Sequence, residues 1–135
     1  MTEEFWRVAG YEWFVSTLVK EEISWATTEV RNKMEDALKN FNVLTLSDEC
    51  EKLAGEYIKN NIFPERYRSD ALHVAIAVAN DMDYLVSWNF KHLVKVKTRR
   101  MVNLTNEMLG YGHIEIIAPP ELALFLSLDS VLSSI

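Results

Sequence analysis

The sequence predicts an α/β fold with a mainly parallel sheet, and its 135 residues are expected to form one domain. Short β-prone runs alternate with helical segments, which is the order found when helices connect parallel strands. Hydrophobic residues make up 49% of the chain, which is enough apolar surface for a core. One helical segment, residues 70–81, is apolar on nearly every face, as expected of a helix packed against a sheet.

The individual elements are predicted from β-prone runs, helix caps and helix breakers. Strands are predicted at residues 12–16, 42–46, 84–88 and 114–118. Helices are predicted at residues 18–41, 48–60, 70–81 and 98–109, and Pro119 and Pro120 open a short terminal helix. Ser47 and Ser69 precede two of these helices and can cap their first N–H groups. Gly110 marks the end of the last long helix.

Composition and charge narrow the functional classes. A net charge of −6 argues against nucleic-acid binding through a large, uniformly positive surface. Cys50 is the one cysteine, which excludes an internal disulfide and a cysteine metal cluster and predicts a free, buried thiol in an intracellular protein. The first residues are acidic where a signal peptide is basic, and the longest apolar run, 71–79, is too short to span a bilayer. We therefore expect a soluble, cytoplasmic protein with no membrane partner.

Three polar residues are predicted to meet at one edge of the sheet. A helix that precedes a parallel strand runs antiparallel to it, so Asp70 should lie near Asn89. The helix after the first strand begins at the same edge, with Glu22 in its second turn. Two carboxylates and an amide oxygen are hard ligands suited to Mg²⁺ or Mn²⁺. Glu22, Asp70 and Asn89 are therefore the predicted catalytic and metal-binding residues.

Each of these residues also has a purely structural interpretation. Asp70 can be a first-turn acid favoured by the helix dipole, Glu22 an exposed surface residue, and Asn89 a turn residue at the end of a strand. His73 shares a helical face with Asp70, so it either bonds to that carboxylate or packs in the core. Asp83 is either a turn residue or, like Ser87 and His73, a residue that supports the site from outside.

A basic segment follows the predicted site. Residues 91–100 hold five cations and no acid. One interpretation is a solvated loop and helix start, and the other is contact with the phosphates of a nucleic acid. The candidate nucleic-acid-binding residues are Lys91, His92, Lys95, Lys97, Arg99 and Arg100.

These residues resemble a known family, the PIN domains, which are metal-dependent ribonucleases that include the VapC-type toxins. The segments 69–77 and 83–93 resemble one PIN subgroup closely, including its strand-end sequence Ser-Trp-Asn-Phe-Lys-His at 87–92. In that resemblance Asp70 is the third acid of the family, Glu22 the second, and Asn89 stands where other members often carry Asp. The likeness extends over essentially the whole chain and implies a three-layer α/β/α fold.

One feature of the family is missing. PIN domains begin with a central strand that ends in Asp, the first metal ligand, and this chain has no Asp before Asp36. We therefore expect an N-terminally truncated domain with a gap in its sheet next to residues 84–88. Three interpretations stay open: the natural protein starts further upstream, the domain has lost its activity, or a partner chain or altered packing completes the sheet.

The resemblance implies hydrolysis of RNA phosphodiesters by a toxin-type nuclease that uses Mg²⁺ or Mn²⁺, with an antitoxin and a second copy of the chain as protein partners. Because only Glu22 and Asp70 supply charge, we expect weak metal binding and impaired activity. The alternative is a non-catalytic PIN domain that serves as an interaction or dimerisation module. An enzyme acting on small molecules lacks support, because there is no glycine-rich phosphate loop or nucleophile motif.

Overall fold

Alternating short strands and helices make up the computed structural model, which describes residues 14–87, 89 and 91–118. The strands in these ranges are β1 Phe14–Ser16, β2 Asn42–Leu44, β3 Tyr84–Val86 and β4 Glu115–Ile117. The helices are α1 Thr17–Ser24, α2 Thr28–Leu38, α3 Asp48–Lys59, α4 Arg68–Ala79 and α5 Val96–Leu109, with a turn of 3₁₀ helix at Glu65–Tyr67 leading into α4. The predicted α/β class is confirmed.

The strands pair in parallel, as predicted, but in two separate sheets. β1 pairs with β2, with Val15 opposite Val43, and β3 pairs with β4, with Leu85 opposite Ile116. Within the described ranges no ladder joins one pair to the other. These four strands therefore do not form one sheet. A gap next to residues 84–88 is what the family resemblance implies.

The core is built around α4 and the neighbouring α3. Six of the twelve residues of α4 are buried, among them Val74 and Ile76, as its all-round apolar sequence predicts. Leu53 and Tyr57 of α3 pack in the same cluster. Cys50 is buried there as a free thiol, which agrees with the sequence prediction. This packing places α4 in the described core, and its first turn contacts Glu22 of α1 and Asn89 after β3.

Two predicted helix boundaries are wrong, and in both cases a serine hydroxyl forms a hydrogen bond that the prediction did not include. The helix expected at 18–41 breaks into α1 and α2 around Thr27, whose backbone is extended (φ −59°, ψ 155°). Ser24 donates its hydroxyl proton to the Glu21 carbonyl, and Ser and Thr are weak helix formers because their hydroxyls compete for backbone groups. Ser69 does not cap α4, because the helix begins at Arg68, two residues before the predicted start, and the Ser69 hydroxyl bonds to Glu22 instead.

Other local predictions are confirmed. Ser47 accepts a hydrogen bond from the Cys50 amide at the start of α3, and Gly110 ends α5 in the left-handed conformation at φ 82°. The strands are shorter than expected. Trp88, the last residue of the strand predicted at 84–88, and the terminal helix predicted after Pro119 lie outside the described residues. No helix in the described ranges has the length and apolar character needed to cross a membrane.

Candidate functional site: a polar edge at the start of helix α4

The first turn of α4 carries Ser69 and Asp70, which contact the other two residues of the predicted site, Glu22 and Asn89. The helix precedes β3, and the turn between them passes through Asp81 at φ 57°, a left-handed position that reverses the chain tightly. Asn89 follows β3, and its Nδ2 lies 3.2 Å from Asp70 Oδ1. Glu22, in the second turn of α1, reaches Ser69 on the same turn of α4. We call Glu22, Ser69, Asp70, His73, Asn89 and His92 the polar edge.

Glu22 is held by two side chains of α4. Its Oε1 accepts a hydrogen bond from the Ser69 hydroxyl at 3.0 Å and lies 3.0 Å from His73 Nε2. The His73 side chain is 16% exposed and that of Glu22 is 38% exposed. His73 is thus neither a partner of Asp70 nor a purely packed core residue, because it orients the other carboxylate. The supporting role of His73 stays a prediction.

Asp70 is held from the loop that follows β3. His92 Nδ1 lies 2.7 Å from Asp70 Oδ2, and the two side chains are 18% and 17% exposed. The His92 amide donates to Asn89 Oδ1 at 2.9 Å, which closes a ring of hydrogen bonds through all three residues. The Asn89 carbonyl accepts from the amides of Leu93 and Val94, so Asn89 also sets the shape of the loop.

The geometry gives Asn89 a different role from the predicted one. The Asn89 NH₂ group faces Asp70, and the Asn89 side-chain oxygen accepts a hydrogen bond from the His92 amide. A metal ion shared with Asp70 would need this oxygen, rather than the NH₂ group, on the Asp70 side. The described residues contain no group of three or more His, Cys, Asp or Glu side chains arranged to hold a metal. The charged candidate donors that remain are Glu22 and Asp70, and Mg²⁺ is commonly held by one or two carboxylates together with substrate phosphate and water.

The two other residues expected to support the site differ in position. Ser87 Oγ accepts a hydrogen bond from the Asn89 amide at 3.0 Å, so Ser87 helps to shape the loop. Asp83 is exposed and precedes β3, at the opposite end of that strand from Asn89. Its carbonyl accepts from the Glu115 amide within the β3–β4 pair. This position favours the turn interpretation of Asp83 over the supporting role.

The basic segment begins at the polar edge and continues along α5. Lys91, Lys95, Lys97 and Arg100 are exposed, and Arg99 is half-buried. Arg99 and Arg100 line an open groove of about 590 Å³ together with Leu104 and Tyr111. Glu107 and Glu115 line the same groove, so its charge is mixed rather than uniformly positive. His92 departs from the prediction, because its contact with Asp70 makes it part of the polar edge.

Sequence reasoning missed two residues beside the site, Arg66 and Tyr67. The Tyr67 ring centroid lies 3.9 Å from that of His92, with the rings inclined at 59°. The Arg66 guanidinium carbon lies over the Tyr67 ring, 4.9 Å from its centroid. The signal in the sequence is a tyrosine flanked by two arginines just ahead of Asp70, in the segment Arg-Tyr-Arg at 66–68.

Comparison with known proteins gives no relative from which a role can be inferred: no protein-family model, curated protein or solved structure matches this chain. The geometry of the polar edge is therefore the basis for the functional proposal.

Proposed function

We propose that this chain is a PIN-like, toxin-type ribonuclease domain that uses Mg²⁺ or Mn²⁺ to hydrolyse RNA phosphodiesters in the cytoplasm, with impaired activity in this form. The observation that carries the proposal is the position of two carboxylates at the start of α4: Asp70 belongs to its first turn, and Glu22 accepts a hydrogen bond from Ser69 on that turn. Glu22 and Asp70 come from different helices, and each is oriented by its own histidine. Open α/β sheets bind ligands at this kind of edge, beyond the carboxyl ends of their strands.

In this proposal the two strand pairs are the halves of one three-layer α/β/α sheet. Two features of the described strands support this arrangement. Both pairs are parallel, and the residues that follow β1 and β3 converge on the same turn of α4 through Glu22 and Asn89. The strand that carries the first acid of a PIN domain would lie between the halves.

The proposed roles follow from the contacts. Glu22 and Asp70 would hold one metal ion, which when bound supplies charge neutralisation at the phosphate and a more acidic water. His73 and His92 orient these carboxylates, and Asn89 fixes the loop that carries His92. Two carboxylates hold such an ion weakly, which is why we expect reduced activity.

The basic segment has a role in substrate binding under the same proposal. Lys91 and Lys95 are exposed and lie on either side of the buried Leu93 and Val94, next to the polar edge. Exposed cations that contact phosphates release counterions, so their contribution to RNA affinity weakens as the salt concentration rises. We therefore expect RNA binding by this domain to be salt-sensitive despite its net charge of −6.

An RNA cleavage assay with the purified chain tests the proposal. We expect slow cleavage that requires Mn²⁺ and falls about a hundredfold or more in Asp70→Asn, because that change removes a charged metal ligand. Asp36→Asn is the control, since Asp36 is an exposed carboxylate on α2 that pairs with Lys39. Cleavage by Asp70→Asn at the wild-type rate would contradict the proposal, and fast cleavage by the wild type would contradict the impairment.

A second candidate is a non-catalytic module that binds a protein partner, either an antitoxin or a second copy of this chain. It is favoured by the exposed apolar side chains of the α1–α2 region, Trp25 (73% exposed), Val30 and Met34. No residue of α2 is buried, so this helix has little packing of its own. If the protein is such a module, Mn²⁺ leaves its melting temperature unchanged in the wild type and in Asp70→Asn alike. Light scattering should then show a dimer for the wild type and a monomer for Trp25→Ser.

A further inference from the structure

The two carboxylates of the polar edge differ in how they are hydrogen-bonded. Glu22 has both of its contacts, with Ser69 and His73, on Oε1, and within the described ranges no hydrogen bond reaches its Oε2. Asp70 is contacted on both oxygens, because Asn89 Nδ2 lies 3.2 Å from Oδ1 and His92 Nδ1 lies 2.7 Å from Oδ2. Asp70 therefore has no oxygen without a protein contact.

The surroundings of Asp70 add to this difference. Its side chain is 17% exposed, against 38% for Glu22, so a ligand has fewer directions of approach. An ionised carboxylate only accepts hydrogen bonds, so His92 Nδ1 carries the proton of the 2.7 Å contact. A cation at Asp70 Oδ2 would meet the positive end of this N–H group, and it must share the oxygen with His92 or displace it.

The orientation of the Asn89 side chain also disfavours a cation at Asp70. The His92 backbone amide donates to Asn89 Oδ1 at 2.9 Å, and this contact settles which end of the side chain is the oxygen. The NH₂ group consequently faces Asp70 and donates to it. Cations bind the oxygen of an amide, so Asn89 presents a hydrogen-bond donor on the side where a ligand would be needed.

His92 is held against Asp70 from several sides. Its ring contacts the Tyr67 ring at a centroid distance of 3.9 Å, and its carbonyl accepts a hydrogen bond from the Thr98 hydroxyl in the first turn of α5. Its amide is bonded to Asn89. The contact with Asp70 is thus part of a connected network, and a cation that displaces His92 must also loosen some of these other contacts.

A supporting role is the other interpretation of His92. Carboxylates that bind a metal are often hydrogen-bonded by neighbouring residues, which raise metal affinity by holding the ligand in place. His73 fits that description, because its contact leaves Glu22 Oε2 without a hydrogen bond from the described part of the chain. The contacts of Asp70 differ, since they use both oxygens and turn the Asn89 oxygen away. This geometry favours competition with a metal ion over support.

We infer that Asn89 and His92 form a latch that competes with the metal ion for Asp70 and so lowers the metal affinity of the site. This inference rests on the proposed ribonuclease function and adds an autoinhibitory contact to it. The latch opens when His92 leaves Asp70 Oδ2 and the His92 amide leaves the Asn89 oxygen. Metal binding at Asp70 and opening of the latch are therefore coupled, and each favours the other.

Mn²⁺ binding to the purified chain tests the latch without RNA and without cleavage. Electron paramagnetic resonance of free Mn²⁺ measures the affinity. The variant is His92→Phe, which keeps a ring against Tyr67 and a backbone amide for Asn89 but removes the donor to Asp70. The control is His113→Phe, because His113 Nε2 lies 2.8 Å from Glu115 Oε1 and forms the same kind of contact away from the polar edge.

The direction of the change in affinity separates competition from support. We expect His92→Phe to bind Mn²⁺ about tenfold more tightly than the wild type, because a hydrogen bond to a charged group no longer competes. His113→Phe should bind within about twofold of the wild type. If His92 only supported Asp70, His92→Phe would bind Mn²⁺ about ten- to a hundredfold more weakly.

Amide hydrogen exchange of the wild type, followed by NMR, tests the latch without any substitution. The His92 amide should exchange about fivefold faster or more with saturating Mg²⁺, because opening removes its acceptor on Asn89. The Glu115 amide is the control, since it bonds to the Asp83 carbonyl and should not exchange faster. This measurement decides the question if His92→Phe does not fold.

Two results would overturn the latch. One is Mn²⁺ binding by folded His92→Phe that is weaker than in the wild type or unchanged, and the other is exchange of the His92 amide that Mg²⁺ slows or leaves unchanged. Either result leaves Mn²⁺-dependent cleavage by the wild type, and so the proposed function, intact. If neither the wild type nor His92→Phe binds Mn²⁺ or cleaves RNA, the proposed function is wrong together with the latch.

Discussion

Removal of the Tyr57 hydroxyl should destabilise the domain by about 1–3 kcal/mol, because it breaks a hydrogen bond that water cannot replace. Tyr57 of α3 and Asn106 of α5 are both fully buried. The Tyr57 hydroxyl donates to Asn106 Oδ1 at 2.5 Å and so joins the two helices. Asn106 Nδ2 is buried and has no hydrogen-bond partner in the described part of the chain.

The expected loss of stability depends on which buried polar group each substitution leaves without a hydrogen-bond partner. Tyr57→Phe keeps the ring and its packing but leaves the Asn106 oxygen buried without a donor, which costs about 1–3 kcal/mol. Asn106→Leu alone strands the Tyr57 hydroxyl in the same way. The double variant removes both polar groups, and an apolar pair of similar shape is close to neutral. Its loss of stability should therefore be smaller than the sum of the two single losses by about 1 kcal/mol or more.

The pH dependence of this pair has a definite sign. Burial raises the pKa of Tyr57 well above its usual range. Above pH ~10 the unfolded chain loses this proton while the folded chain keeps it, so stability falls as pH rises. At pH 11 this contribution lowers the stability of the wild type by about 1 kcal/mol, and Tyr57→Phe lacks it. The gap between the two proteins should therefore narrow from pH 8 to pH 11.

Urea denaturation followed by circular dichroism at both pH values measures these differences. A destabilisation of Tyr57→Phe by less than about 0.5 kcal/mol at pH 8 would refute the buried hydrogen bond as a source of stability. A gap between wild type and variant that is the same at pH 8 and pH 11 would refute the assignment of the pKa change to Tyr57.

Four further changes test local features of the fold by the same denaturation assay. Asn103→Ala should cost about 2 kcal/mol, because Asn103 bonds both the amide and the carbonyl of the buried Ile114, and a loss under about 0.5 kcal/mol would contradict this. Gly110→Ala should cost about 1 kcal/mol, because its φ of 82° strains an L-residue even though the space around it is open. Gly55→Ala, inside α3 and equally open, should instead stabilise by about 0.5–1 kcal/mol, and equal effects at the two glycines would refute the conformational argument. Ser47→Ala should cost about 1 kcal/mol by removing the cap of α3, with a neutral result counting against the cap.

The sequence predicts those parts of the fold that depend on local pattern and length. The apolar run of α4 and the β-prone run of β3 are each recognisable alone. The length of a twelve-residue helix matches that of a short strand with its flanking turns, which predicts Asn89 near Asp70. A hydrogen bond between these two side chains agrees with this prediction.

The partners of individual side chains could not be predicted in the same way. His92 lies 22 residues after Asp70 and was expected to face phosphate, yet it contacts that carboxylate. His73 bonds to Glu22, 51 residues away, rather than to Asp70 on its own helix. Such choices depend on the relative placement of separate elements, which periodicity and spacing do not specify. The break between α1 and α2 was missed because weak helix propensities are decided by tertiary packing.

The rate of RNA cleavage as a function of Mn²⁺ concentration tests the proposed metal site most directly. The proposal predicts a rate that is zero in EDTA and rises to saturation with Mn²⁺. Glu22→Gln should need a higher concentration and Asp70→Asn should stay inactive, while Asp36→Asn follows the wild-type curve. A rate that persists in EDTA, or a curve that is identical in Glu22→Gln, Asp70→Asn and the wild type, would contradict a metal-dependent site formed by Glu22 and Asp70.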